Sequence, residues 1–160
     1  MFIKEIDLFK GMGVEVIDEI FKISVAESYS DGDILFKQGD PAHNFYLLEQ
    51  GEIRLSIGEE GHINFTMIPG DAFGWSSLAD RYVYTATAEC KLSSKVIKIE
   101  TDKLNKIFEK YPAIGLIFFK RLSGVIGDRL IRAYNTILSA YKGEEIRGHH
   151  TYFLTSFTAF

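Results

Sequence analysis

The sequence predicts an α+β protein built on an antiparallel β-roll (a jelly roll, or double-stranded β-helix), with a short N-terminal helix and a long C-terminal dimerisation helix. Three observations support this fold class. Apolar and polar residues alternate between about residues 26 and 100, glycines recur at the ends of the alternating segments, and a helical period of three to four residues occurs on both sides of that region.

The first element is a short amphipathic helix. Within residues 14–24, Val14, Ile17, Phe21 and Ser24 fall on one helical face, and Ile20 lies beside them.

The middle of the chain predicts short antiparallel strands. In "GEIRLSIG" and "HINFTMIPG" every second residue is apolar, and the segment "GEEG" between these two runs is typical of a hairpin connection. We expect further strands at 26–29, 33–36, 44–49, 84–90 and 95–100.

The helical period returns after residue 100. Thr101 is the predicted N-cap of a helix that turns Leu104, Ile107 and Phe108 inward, and Pro112 ends that helix and begins the next. The second helix covers residues 112–142, or ~45 Å at 1.5 Å per residue. Its apolar stripe comprises Phe119, Leu122, Ile126, Leu130, Ala133, Ile137 and Tyr141.

This long helix outlasts a small β-roll, so part of its stripe needs a partner. A second copy of the same helix is the simplest partner, and we therefore expect a homodimer through residues 112–142. The alternative is a helix that wraps its own domain. We predict one domain over residues 1–142 and an aromatic tail over 143–160, which either docks in cis or in trans or is ordered by lattice contacts alone.

Composition narrows the function classes. The 160 residues carry a formal net charge of −4, which argues against a basic DNA-binding face. The single cysteine, Cys90, cannot form an internal disulfide or a cysteine-rich metal site. We see no signal peptide and no apolar run of ~20 residues, so we expect a soluble cytoplasmic protein that does not act at a membrane.

Several glycine-containing motifs carry a resemblance to a known family. They are "SDGDILFKQGDPAHNFYLLEQGEIRL", "PGDAFGW" and, in the long helix, "RLSGVIGDRL". Over roughly residues 6–140 the chain resembles the cyclic nucleotide-binding domain of the Crp/Fnr (catabolite activator protein-like) superfamily and of protein kinase A regulatory subunits. Only 18 residues follow residue 142, so we expect this sequence to lack the helix-turn-helix domain of the family's transcription factors.

The resemblance implies a phosphate-binding cassette at "FGWSSLADRYVYTATA", and the cassette departs from the family pattern. The family loop is approximately FGE-L-A, about seven residues, then R-[ST/A]-A-T. Trp75 takes the place of the ribose-binding glutamate and Tyr84 that of the phosphate-binding arginine. The Thr–Ser pair that contacts the adenine in the bacterial activator falls at Ala133 and Tyr134.

The candidate ligand-binding residues follow from this alignment. They are Phe73, Gly74, Trp75, Ser76, Ser77, Arg81, Tyr84, Thr85 and Ala86 in the degenerate cassette, with Ala133 and Tyr134 on the long-helix side of the pocket. Arg81 either replaces the missing arginine or is a solvated loop residue.

We therefore expect a stand-alone sensor or regulatory module that binds cAMP weakly or not at all, with a small anionic ligand or nucleotide as the possible partner. The alternatives are a transcription regulator that acts through a separate DNA-binding chain and a ligand-free dimeric interaction module. The four histidines form no H-x-H pair in the roll, which argues against a metalloenzyme, and we expect no enzyme activity and no cofactor.

Overall fold

The computed structural model describes residues 2–58, 63–79 and 81–142, with side chains up to residue 139. The strands are β1 (Ser24–Tyr29), β2 (Ile34–Phe36), β3 (Asn44–Ile57), β4 (Ile63–Met67), β5 (Ala72–Phe73) and β6 (Thr87–Glu100). The α-helices are α1 (Val14–Ile23), α2 (Thr101–Lys110) and α3 (Pro112–Lys142), and 3₁₀ helices cover Phe2–Glu5 and Trp75–Leu78. The chain divides into two compact units, Met1–Ser123 and Gly124–Phe160.

The sheet is antiparallel and confirms the predicted fold class. Its strand order is β1-β6-β3-β4, with β2 paired to β6 and β5 paired to β3. The two long strands β3 and β6 form its centre, from the pair Asn44–Glu100 to the pair Ser56–Thr87. The predicted antiparallel pairing on the two sides of "GEEG" is confirmed, because β3 and β4 pair up to Ile57 and Ile63. The connection itself, residues 59–62, lies outside the described residues.

Two of the long strands correct the predicted boundaries. The segments 44–49 and 52–57 are one strand, β3, because the chain passes Gly51 through a series of register shifts instead of turning there. The predicted strand 84–90 begins only at Thr87, because the backbone of Tyr84 pairs with a loop instead of the sheet. The Tyr84 N–H donates to the Asp40 carbonyl, and the Gly39 N–H donates to the Tyr84 carbonyl, both at 2.9 Å.

The roll has an aromatic and aliphatic interior. Its buried cluster consists of Phe36, Ala42, Tyr46, Leu48, Ile53, Leu55, Met67, Phe73, Tyr84, Ala88, Cys90 and Val96. These side chains come from β2, β3, β4, β5, β6 and the two loops at residues 42 and 84, so the loops help to close the core.

Helix α1 is confirmed, but its buried face differs from the expectation. Val16, Ile17 and Ile20 are buried, whereas Val14 is 63 % exposed and Phe21 is 54 % exposed. The buried side is centred on Val16 and Ile20, which lie four residues apart on one side of the helix. Of the predicted face, Ile17 and the neighbouring Ile20 turn inward, whereas Val14 and Phe21 do not.

Helix α2 has the predicted core residues and a different cap. Leu104, Ile107 and Phe108 are buried as expected. Glu100 is the N-cap, and Thr101 is the first helical residue. Thr101 was predicted to be the cap because its hydroxyl is a good acceptor, but the hydroxyl donates to the Ser77 side chain at 2.7 Å instead.

Helix α3 has both predicted ends. In the first unit its most buried side chain is Phe118, whose ring lies 4.8 Å from that of Phe108 and 5.2 Å from that of Phe9. Phe118 lies beside the predicted stripe, where Leu122 is buried and Phe119 is 38 % exposed. The predicted aromatic tail lies outside the described residues.

Candidate ligand-binding site

The cassette begins where β5 ends. Phe73 is fully buried, and Gly74 follows with φ of 74° and leads into the 3₁₀ helix Trp75–Leu78. A Cβ atom at Gly74 would lie 2.9 Å from Tyr46 Cδ2 and 3.1 Å from the Asn44 carbonyl oxygen. Glycine is therefore required here both for its left-handed backbone and for the close approach to β3.

The serine and threonine hydroxyls of the predicted site bond to one another, to a backbone carbonyl and to Thr101. Ser76 is buried, and its Oγ lies 3.3 Å from Thr85 Oγ1. Ser77 Oγ donates to the Gly74 carbonyl at 3.0 Å and accepts from Thr101 Oγ1 at 2.7 Å. These bonds tie the cassette to the start of α2, and they use hydroxyl hydrogens that a bound anion would need.

Tyr84 is part of the apolar interior of the roll and does not point toward a binding surface. The residue is 4 % exposed, and its ring stacks on that of Phe36 with centroids 3.8 Å apart and planes 17° apart. Its hydroxyl donates to the Asn44 carbonyl at 2.9 Å and accepts from the Asn44 N–H at 3.2 Å. The phenol thus bonds to both backbone groups of one residue in β3.

The neighbouring aromatic residues complete a stack inside the roll. Tyr46 and Phe73 stack with centroids 5.2 Å apart, and the Tyr46 hydroxyl donates to that of Tyr84. Burial is the main cause that raises the pKa of Tyr84, and burial and the Tyr84 hydroxyl raise the pKa of Tyr46. Both phenols are therefore uncharged at neutral pH and give an anion no counter-charge.

The other cassette residues lie toward the surface. Trp75 is half-buried and does not belong to the buried cluster of the roll. Arg81 is exposed, and its backbone N–H donates to the Ser76 carbonyl at 3.3 Å. Thr85 and Ala86 are half-buried, and Ala86 packs against the cluster.

The structure brings Phe73, Gly74, Ser76, Ser77, Tyr84, Thr85 and Ala86 together in the first unit. Ala133 and Tyr134 lie in the second unit, where Ala133 is half-buried and Tyr134 is 45 % exposed.

Sequence reasoning missed the residues that hold Tyr84 in place. Phe36 and Tyr46 lie on predicted strands, but residues 45–48 are all apolar, so the sequence does not show which face of that strand turns into the roll. Asn44 acts through its backbone, which carries no sequence signal. The Thr101 hydroxyl bond depends on the arrival of α2 beside the cassette, which local sequence does not predict.

In the described part of the chain, no group of three or more His, Cys, Asp or Glu side chains is placed to hold a metal ion. None of the helices found there combines the length and the apolar character needed to cross a bilayer.

The fold combines a β-roll, helices before and after it in the chain, and a 3₁₀ turn that begins at Gly74. The family model for the cyclic nucleotide-binding domain matches residues 26–111, more than half of the chain. The chain therefore belongs to the cyclic nucleotide-binding domain family, as the motifs predicted.

Relatives and solved structures agree with this assignment. The cAMP-dependent protein kinase regulatory subunit of Hypocrea atroviridis is 27 % identical over 124 residues, which are 78 % of this chain and 26 % of that protein. A Geobacter metallireducens GS-15 structure assigned to cyclic nucleotide binding has a TM-score of 0.71 and 26 % identity over 79 % of this chain and 94 % of its own.

The catabolite activator protein of Thermus thermophilus shares the fold, with a TM-score of 0.66 and 22 % identity over 84 % of this chain and 62 % of its own. The chain spans only about a quarter of the length of the fungal regulatory subunit.

Proposed function

We propose that this chain is a non-catalytic regulatory module of the cyclic nucleotide-binding family whose own cassette binds cAMP and cGMP weakly or not at all. One observation carries the proposal. Tyr84, at the position where the family places its phosphate-binding arginine, is buried in the roll, stacked on Phe36 and bonded to Asn44. A buried cyclic phosphate would meet an uncharged phenol whose hydrogen is already donated.

The expected loss of affinity follows from the charge. Removing one partner of a buried ion pair costs about 3–5 kcal/mol, or about two to three and a half powers of ten in the dissociation constant. The half-buried Trp75 replaces the glutamate that would hold the ribose, which weakens the site further. Ser76, Thr85 and the exposed Arg81 are the groups that could still contact a small anionic ligand.

Calorimetry with cAMP and cGMP tests the proposal. The unmodified chain is expected to bind neither nucleotide at micromolar concentrations, and the double variant Trp75→Glu/Tyr84→Arg is expected to bind at least about tenfold more tightly. Trp75→Glu/Tyr82→Arg is the matched control, because it adds the same two charges but places the arginine at a position that is 88 % exposed. A dissociation constant in the micromolar range for the unmodified chain would refute the proposal.

We further propose that the module is a homodimer through α3. In the second unit Leu130, Ile131, Tyr134, Ile137 and Leu138 are between 43 % and 57 % exposed. At 100° per residue these five side chains span an arc of about 120° on one side of the helix, the width of an apolar face that packs against a partner. The relative position of the two copies would then carry a ligand signal.

Light scattering on charge variants tests the dimer. Leu130→Glu combined with Ile137→Glu is expected to give monomers at tens of micromolar protein, because two charges enter the apolar stripe. Thr136→Glu introduces the same side chain on the opposite side of the helix and is expected to leave the dimer intact. An unmodified chain that is already monomeric at that concentration would contradict the proposal.

A ligand-free interaction module is the second candidate. The stacked pairs Phe36–Tyr84 and Tyr46–Phe73 favour it, because their rings occupy space inside the roll that a ligand would otherwise use. Native mass spectrometry separates the two candidates, since a sensor purified from cells is expected to retain a small molecule and an interaction module is not.

A further inference from the structure

A concave site lies away from the cassette. A cavity of about 300 Å³ opens between the N-terminal 3₁₀ helix and α1 on one side and strands β1, β3 and β6 on the other. Its apolar walls are formed by Phe2, Ile3, Phe21, Ala26 and Ile97. None of these residues belongs to the cassette, and the volume lies at the lower end of the range for pockets that hold small molecules.

The rim of this cavity exposes aromatic surface. Phe21 is 54 % exposed although it lines the cavity. Apolar groups that remain open to water around a concavity are typical of a site that takes an apolar ligand.

One charged group faces the same cavity. Glu49 lines it, and the Glu49 Oε2 atom is buried from water without a hydrogen-bond partner. Lys95 Nζ lies 2.8 Å from this oxygen, so the two groups form an ion contact outside hydrogen-bond geometry. The Lys95 side chain is 44 % exposed, so its ammonium group can be hydrated when another cation takes its place at Glu49.

Charge and ring chemistry together select one class of ligand. A carboxylate that can exchange its lysine for another cation favours an ammonium group, and the rings of Phe2 and Phe21 favour a cation or an apolar body over an anion. We propose that this cavity binds a small apolar amine, such as an aromatic ring on a short chain that ends in a primary ammonium. The ammonium replaces Lys95 at Glu49, and the ring contacts Phe2 and Phe21.

A titration monitored by ¹H–¹⁵N NMR tests the site with phenethylamine as the probe. Saturable shifts are expected at Phe21, Ala26 and Ile97, with the amides of the cassette turn 74–77 unchanged. Phenylacetate has the same ring and the opposite charge, and it is expected to bind at least about tenfold more weakly.

Variants separate the charge from the shape. Glu49→Gln is expected to weaken phenethylamine at least about fivefold and to leave the neutral phenethyl alcohol unchanged. Ala26→Phe fills the cavity and is expected to abolish the shifts caused by both probes. Ala79→Phe is the matched control, since it makes the same substitution at an exposed position beside the cassette.

Three results would overturn the proposal. The first is the absence of saturable shifts up to about 10 mM phenethylamine in the unmodified chain, a concentration that covers even very weak binding. The second is equal binding of phenethylamine and phenylacetate, or no effect of Glu49→Gln. The third is a set of shifts confined to the cassette turn that Ala79→Phe removes and Ala26→Phe does not.

Discussion

Tyr84→Phe isolates the contribution of one hydroxyl to the stability of the roll. In the folded chain this hydroxyl donates to the Asn44 carbonyl at 2.9 Å and accepts from the Asn44 N–H at 3.2 Å. The variant keeps the ring that stacks on Phe36 at 3.8 Å, so the loss is confined to hydrogen bonding. No cavity is created, because phenylalanine has nearly the same shape.

The magnitude follows from the three bonds of the Tyr84 hydroxyl, two with Asn44 and one from the Tyr46 hydroxyl. A hydrogen bond within a folded protein contributes about 0.5–1.5 kcal/mol net, so three bonds contribute about 1.5–4.5 kcal/mol to the free energy of unfolding. A loss of about 2 kcal/mol lowers the melting temperature of a chain of this size by about 4–8 °C.

Urea unfolding followed by tryptophan fluorescence and by circular dichroism measures this loss. Tyr82→Phe is the control, because it removes the same hydroxyl from a residue that is 88 % exposed and is expected to change the stability by less than about 0.5 kcal/mol. Equal free energies of unfolding for Tyr84→Phe and Tyr82→Phe would refute the assignment of Tyr84 to the structural core.

Two further substitutions test other parts of the roll. Gly51→Ala is expected to destabilise the chain by at least about 2 kcal/mol more than Gly58→Ala in thermal unfolding. Both glycines have positive φ, but a Cβ at Gly51 would lie 2.3 Å from Ser94 Oγ, whereas a Cβ at Gly58 would meet nothing within 4 Å. Similar melting temperatures for the two variants would contradict this expectation. The Arg54 side chain lowers the pKa of Glu89 below its ordinary value of 4.5, so this pair stabilises the fold above that pH and the contribution is lost as the pH falls. Between about pH 5 and pH 3 the unmodified chain should therefore lose up to about 1 kcal/mol more stability than Glu89→Gln, and parallel pH profiles would show that the pair contributes nothing.

Local sequence was sufficient for the helices and for most strands. The range 112–142 matched α3 at both ends, because a proline marks its start and no proline interrupts its apolar stripe. Strand β4 matched the alternation of residues 63–67. These predictions succeed because helical and extended backbones impose periods of 3.6 and 2 on any side chains that face a core.

The errors occur where distant parts of the chain compete for one residue. The sequence predicts separate strands before and after Gly51, but β6 pairs with β3 on both sides of this glycine, and register shifts accommodate it. The sequence predicts Thr101 as a helix cap, but Ser77 accepts its hydroxyl hydrogen.

In the candidate site, too, local sequence predicts part of the arrangement and contacts between distant segments decide the rest. The family motif placed the cassette at residues 73–86 and revealed that its two charged residues are missing, because substitutions within a motif are visible in the chain itself. Whether Tyr84 faces water or the roll depends on Phe36 and Asn44, which reach it only through the folding of the loops and the sheet. The burial of a side chain is a property of contacts between segments far apart in the chain, and such contacts leave no period in the local sequence.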